Sequence, residues 1–101
     1  MEVQIQGTTY PLRASMGAWR KFETATGVRV AGIGTDDVTR IPELAYYLIQ
    51  AGCKASGMKF ELTVDEFLDL VEIEDVQAIS EAVAGLLGGN AKGQKKSQAK
   101  P

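Results

Sequence analysis

One segment of the sequence strongly restricts how the chain can fold: RIPELAYYLIQAGCKASG, residues 40–57. Pro42 suits the first turn of a helix, where its missing N–H costs nothing, and Glu43 complements the positive end of the helix dipole. Nearly every later position is apolar, so this helix would have almost no polar face and would be buried on most sides. We therefore predict a central helix over residues 41–56, ending near Gly57, with Gly52 permitting a close crossing by another helix.

The N-terminal segment, MEVQIQGTTYPLR, predicts a β-hairpin over residues 2–13, because apolar and polar residues alternate on both sides of Gly7. Two registers are possible, and Pro11 distinguishes them. A Gly7-Thr8 loop would place Pro11 at a hydrogen-bonded position, where its missing N–H breaks the ladder, whereas a Gln6-Gly7 loop would not. We expect the second register, which pairs Val3 with Tyr10.

This register gives the two edges of the hairpin different properties. Pro11 points its blocked nitrogen outward, so the second strand is a poor template for a further strand. The outer edge of the first strand stays open. Its residues Glu2, Gln4 and Gln6 are therefore candidate partner-binding residues.

Three more helices are predicted by capping signals and apolar spacing. The first covers about residues 15–26, with Ser15 as its N-cap and Gly27 as its stop, and its Trp19 and Phe22 are expected to cover the hairpin. The second covers 63–71 and begins with a capping box formed by Thr63 and Glu66. The last covers 75–87 and ends at Gly88-Gly89. The fold class is α+β: an N-terminal β-hairpin packed on a small bundle of about four α-helices, in one domain over residues 1–90.

The composition excludes several kinds of chemistry. The 101 residues include no histidine, the commonest general base and metal ligand. Cys53 is the only cysteine, so no internal disulfide can form, and its apolar surroundings indicate a buried structural residue. We therefore expect no enzymatic activity, no catalytic residue, no metal site and no cofactor. The sequence also shows no membrane-spanning segment and no signal peptide, and a reducing cytosol is the simplest setting.

Charge is unevenly distributed along the chain. Residues 1–91 hold seven Lys/Arg and thirteen Asp/Glu, a net charge of −6, while the last ten residues hold four lysines and no acid. An acidic body makes nucleic acid an unlikely partner. We expect residues 91–101 to form a disordered basic tail, either simply solvated or contacting an acidic partner or phosphates through Lys95 and Lys96.

Two further groups of residues are candidates for protein binding. Asp65, Asp69 and Glu72 share one helical face, which is either solvated or a docking surface for a basic partner. Tyr46 and Tyr47 point about 100° apart on a helix. Either both are buried in a helix packed on two sides, or one is exposed and can anchor an interface.

The order of these elements resembles the tail assembly chaperones of long flexible-tailed bacteriophages and prophages. The matching pieces are VQIQGTTYPLR with the helix GAWRKFETATG, and LIQAGCKASG followed by FELTVDEFLDLV, which together span roughly residues 2–72. They are patterns of core and cap residues and assign no catalytic residue.

The resemblance implies a non-enzymatic protein that coats the tape measure protein and helps recruit tail-tube subunits. It also implies the cytoplasm of a bacterial host, absence from the mature virion and a possible weak homo-oligomer. A programmed frameshift near the end of the gene is frequent in that family, and the codons of Lys95 and Lys96 would suit one. The alternatives are a small regulatory or nucleic-acid-associated helical module, and another phage structural part such as a connector or tail-completion protein.

Overall fold

The fold was obtained as a computed structural model, which describes residues 1–34 and 37–91. Two strands are followed by four α-helices, with one short 3-10 turn between the first two helices. The α+β class is confirmed. The elements are β1 (Glu2–Ile5), β2 (Thr8–Pro11), α1 (Met16–Thr26), the 3-10 turn (Val30–Gly32), α2 (Arg40–Ser56), α3 (Val64–Leu70) and α4 (Ile73–Ala91).

The hairpin has the register that Pro11 predicts. The strands pair antiparallel with Val3 opposite Tyr10, and Gln6 and Gly7 form the two-residue loop. Both loop residues have positive φ, 50° and 82°, as this type of tight turn requires. The Leu12 N–H donates to the Met1 carbonyl at 2.8 Å, so the ladder continues beyond Pro11.

Helix α2 is the central element, as predicted. It packs against α1, α3, α4 and β2, and Leu48 and Ile49 have no solvent exposure. The close approach at Gly52 is made by the end of β2 and not by a helix. A Cβ at Gly52 would lie 2.6 Å from the Pro11 carbonyl carbon. Beside it, the Arg13 N–H donates to the Leu48 carbonyl at 3.0 Å.

The helices that pack against the hairpin are α2 and α4, whereas the sequence predicted that α1 would cover it. Helix α1 packs mainly against α2, where Phe22 is fully buried and its ring meets the edge of Tyr47 at a centroid distance of 6.3 Å. Helix α2 packs on β2 and α4 packs beside β1. Phe22 therefore serves the α1–α2 contact, and Trp19 packs half-buried against the core. The apolar surface of α2 extends around the helix and can hold α1 on one side and the hairpin on another.

The predicted caps of α1 and α3 are present. The Ser15 hydroxyl accepts a hydrogen bond from the Ala18 N–H, Gly27 ends α1 in the left-handed conformation, and Thr63 and Glu66 form the capping box of α3. Helix α3 ends at Leu70, with Val71 as its C-cap residue.

Helix α4 differs from its predicted bounds of 75–87 at both ends. It begins at Ile73, because the Asp75 carboxylate accepts the Glu72 N–H at 2.9 Å and caps the first turn. It continues through Gly88 and Gly89 to Ala91. Glycine costs about 1 kcal/mol in a helix but does not by itself end one. Ala91, assigned to the tail from sequence, is thus helical, and the rest of the predicted tail lies outside the described residues.

Candidate protein-binding surfaces

The edge of β1 is bordered by α4. The Gln6 side-chain amide donates to the Asp75 carboxylate at 2.7 Å, and a Cβ at Gly85 would lie 3.2 Å from the Met1 methyl carbon. Between the two elements runs a shallow groove whose strand side includes Glu2 and Gln4. Its lining is Met1, Glu2, Val3, Gln4, Ala78, Glu81 and Ala82.

The sequence expectation of a fully open β1 edge is therefore too simple. No third strand pairs with β1 in the described residues, but the edge faces a helix with small side chains. Gln6 is already hydrogen-bonded to α4, whereas Glu2 and Gln4 are exposed and have no side-chain hydrogen bond to the described residues.

The two adjacent tyrosines have different environments. Tyr46 is 7% exposed and donates from its hydroxyl to the Leu62 carbonyl at 2.7 Å. Its ring contacts those of Tyr47, Phe60 and Phe67, at centroid distances of 5.0 to 5.7 Å. Burial raises the pKa of Tyr46, and the neighbouring Tyr47 and Glu66 raise it further. Tyr46 is thus a core residue that joins α2 to the segment before α3.

Tyr47 lies on the border of the core. It is half-buried, and its pKa is raised by burial and, to a smaller extent, by Glu43. Its ring lines the groove between α1 and α2, so of the two tyrosines it is the one that a partner could touch.

The acidic residues of α3 and of the segment that leads into α4 divide into two groups. Glu66 and Asp75 are engaged in helix caps. Asp65, Asp69 and Glu72 are exposed, and none of their carboxylates has a hydrogen bond or ion pair with the described residues. The apolar Phe67 on the same helix is fully buried. Asp65 and Asp69 lie on α3, whereas Glu72 lies beyond its end at Leu70, so the three residues do not share one helical face as the sequence predicted.

One of these acidic residues, Glu72, lines an apolar groove of about 230 Å³. Two large apolar side chains stand out there: Ile73, 88% exposed, and Val38, 60% exposed. We call this region the α3–α4 surface. Its groove is lined by Val38, Thr39, Pro42, Glu43, Leu68, Val71, Glu72, Ile73 and Val76.

Sequence reasoning missed the apolar part of this surface. Ile73 fell in the segment interpreted as a break between helices, and Val38 fell in a loop without periodicity. The one available signal is an isoleucine between two glutamates, in the segment VEIED over residues 71–75, but single exposed apolar residues are common on protein surfaces.

A second apolar groove, of about 340 Å³, lies between α2, α4 and the 3-10 turn. Val30 is anchored there because its N–H donates to the Glu23 carboxylate at 2.9 Å. Nothing in the sequence indicates this groove, since the loop over 28–39 has no regular pattern. It is lined by Val30, Ile33, Gly34, Ile41, Leu44, Ser80, Glu81, Val83, Ala84 and Leu87.

Reactive groups are sparse among residues 1–34 and 37–91. No three His, Cys, Asp or Glu side chains come together there in a way that could hold a metal ion. Cys53 is buried, and burial raises the pKa of its thiol, so it is protonated at neutral pH. Lys95 and Lys96, the remaining sequence candidates, lie outside the described residues.

Comparisons with protein-family models, with curated proteins and with solved structures found no match. Within the described residues, no helix combines the length and apolar composition needed to cross a lipid bilayer.

Proposed function

We propose that the protein is a tail assembly chaperone of a long flexible-tailed bacteriophage or prophage. In this role it binds and coats the tape measure protein and helps recruit tail-tube subunits, without enzymatic activity. It would act in the cytoplasm of the bacterial host and be absent from the mature virion. The basis is the resemblance of the hairpin, the Trp/Phe helix and the LIQAGC and FELTVDEF segments to that family.

One structural observation supports a binding role in particular, the α3–α4 surface. Ile73 and Val38 expose large apolar side chains beside the unpaired carboxylate of Glu72. Exposed apolar groups that cluster beside charge are typical of protein-interaction sites. The complementary partner is an amphipathic helix with apolar and basic side chains. A long helical protein can offer such a segment repeatedly, which is what a coat requires.

The test is co-expression of all 101 residues, together with any frameshifted longer product, with a tape measure protein from the same genome, followed by affinity capture. We expect co-purification, and we expect Ile73→Asp to reduce it strongly. Met16→Asp is the matched control, because Met16 is also an apolar first residue of a helix and is 79% exposed. An aspartate suits the first turn of either helix, so neither change should unfold the protein.

Two outcomes would count against the chaperone proposal, and a third would count against the proposed binding surface. Absence of any complex with the full chain would contradict tape measure binding. Salt-dependent retardation of duplex DNA at low micromolar protein would favour the nucleic-acid-associated alternative instead. Equal capture by both aspartate variants would remove the α3–α4 surface from the interface.

A further inference from the structure

A groove of about 460 Å³ between α1 and α2 brings together three cations that are far apart in the sequence. Arg13 follows the hairpin, Lys21 lies on α1 and Lys54 lies near the end of α2. The described lining contains no acidic residue. It consists of Arg13, Ser15, Gly17, Ala18, Lys21, Tyr47, Gln50, Ala51, Lys54 and Ala55.

None of these three cations is neutralised by the described part of the chain. The ion pair found there joins Arg40 to Glu43, outside this groove. Residues 1–91 carry a net charge of −6, yet three of their seven basic residues line this one groove. Clustered charges of one sign in a concave site concentrate the electrostatic potential and attract groups of opposite charge. The groove is thus a positive site on an acidic body.

The apolar residues that line the groove restrict the kind of anionic ligand that could fill it. Ala18, Ala51 and Ala55 contribute small apolar side chains, and the half-buried Tyr47 also lines the groove. A ligand that fills the groove therefore needs both carboxylates and short apolar groups. A peptide segment rich in Glu or Asp supplies both. Duplex nucleic acid would be repelled by the remaining acidic surface.

We propose that the α1–α2 groove binds an acidic segment of a partner protein. The groove is separate from the α3–α4 surface: the two share no lining residue. The inference does not depend on the partner being a tape measure protein, and it can hold or fail independently of the chaperone proposal.

The test uses a short fluorescein-labelled peptide in which glutamate alternates with alanine and leucine. Fluorescence anisotropy is measured with the full chain at an ionic strength of about 0.15 M and at higher salt. We expect saturable binding that weakens with salt, and an affinity loss of about tenfold for the Lys21→Glu/Lys54→Glu variant. The peptide with every glutamate changed to glutamine should bind poorly.

The matched control is Arg29→Glu/Lys59→Glu, which makes the same change in net charge at two exposed positions outside the groove. Circular dichroism verifies that both variants are folded, and Lys21→Gln/Lys54→Gln provides a milder replacement if the charge reversal is not tolerated. Equal affinity losses in groove and control variants would overturn the proposal, since they would indicate a net-charge effect. Tighter binding of labelled DNA than of the peptide would overturn it as well, as would no binding of the peptide.

Discussion

Replacing Gly52 by alanine tests the contact that joins the central helix to the hairpin. The added Cβ would overlap the Pro11 carbonyl oxygen and would lie 2.6 Å from the Pro11 carbonyl carbon and 3.0 Å from the Leu12 nitrogen. All three are backbone atoms, so no side chain can rotate away. Helix α2 and the end of β2 would have to separate.

The expected change in the free energy of unfolding of Gly52→Ala is the sum of opposing contributions. Alanine is favoured over glycine inside a helix by about 1 kcal/mol. Overpacking against a fixed neighbour costs about 1–3 kcal/mol and more when backbone must move. Separation would also weaken the bond from the Arg13 N–H to the Leu48 carbonyl, which contributes about 1 kcal/mol. We expect a net loss of about 2 kcal/mol in the free energy of unfolding, which corresponds to a fall in Tm of roughly 10 °C.

Urea denaturation followed by Trp19 fluorescence and by circular dichroism measures this loss. Gly17→Ala is the control, because a Cβ at Gly17 would meet the Ser15 hydroxyl oxygen at an ordinary 3.8 Å. It should leave stability unchanged or raise it by up to about 1 kcal/mol. If Gly52→Ala were as stable as the wild type, the close approach of α2 to β2 would not be a rigid contact, and the reasoning would be refuted.

Three further changes test the caps, the core and the strand edge. Tyr46→Phe removes the hydroxyl that donates to the Leu62 carbonyl and should cost about 1 kcal/mol at pH 7. Burial raises the pKa of Tyr46 above 10.0, so the hydroxyl should stabilise the fold fully below that pH and should cease to do so as the pH rises through the raised pKa. The difference in unfolding free energy between wild type and Tyr46→Phe, measured in urea, should therefore narrow in that range. A difference that stayed constant would contradict this reasoning. Thr63→Ala should lower stability by about 1 kcal/mol through loss of the capping box, whereas Thr24→Ala, at an exposed helical position, should not. Gln4→Pro should leave the hairpin ladder intact, because the Gln4 N–H points away from β2. It should reduce any self-association measured by sedimentation velocity. An unchanged oligomer distribution would exclude the β1 edge as a contact between copies of the chain.

The elements that could be predicted are those determined by local chemistry. Ser15 and Gly27 delimit α1, and Thr63 with Glu66 begins α3, because side chains or a left-handed residue satisfy the end groups of a helix within a few positions. Pro11 determined the hairpin register for a similar reason: a missing N–H excludes one ladder.

The errors arose where distant parts of the chain compete for the same surface. The hairpin could have been covered by α1 or by another helix, and sequence spacing alone does not decide between them. In the structure α2 contacts β2 as well as the other three α-helices, and β1 packs beside α4. Helix α4 passes its predicted end because a glycine is a poor helix former but ends a helix only where the backbone leaves the helical conformation, as it does in the left-handed C-caps Gly27 and Gly57.

The binding surfaces were the hardest to foresee, because each combines residues from several elements. Arg13, Lys21 and Lys54 are separated by up to 41 positions along the chain and become neighbours only in the fold. The acidic residues of α3 were recognisable from their density, but the exposed Ile73 beside them was not.

The two proposed surfaces are related through one side of α2. Glu43 lines the α3–α4 surface, while Tyr47, Gln50 and Lys54 line the α1–α2 groove. Positions separated by four, three and four residues share one helical face, so the four side chains follow each other over about 16 Å of helix. Although Arg40 pairs with Glu43, the unpaired Glu72 keeps that end acidic, and Lys54 makes the other end basic. A single helical partner that contacted both ends would therefore have its own charges arranged in the opposite order, and this order would fix the direction in which it lies along α2.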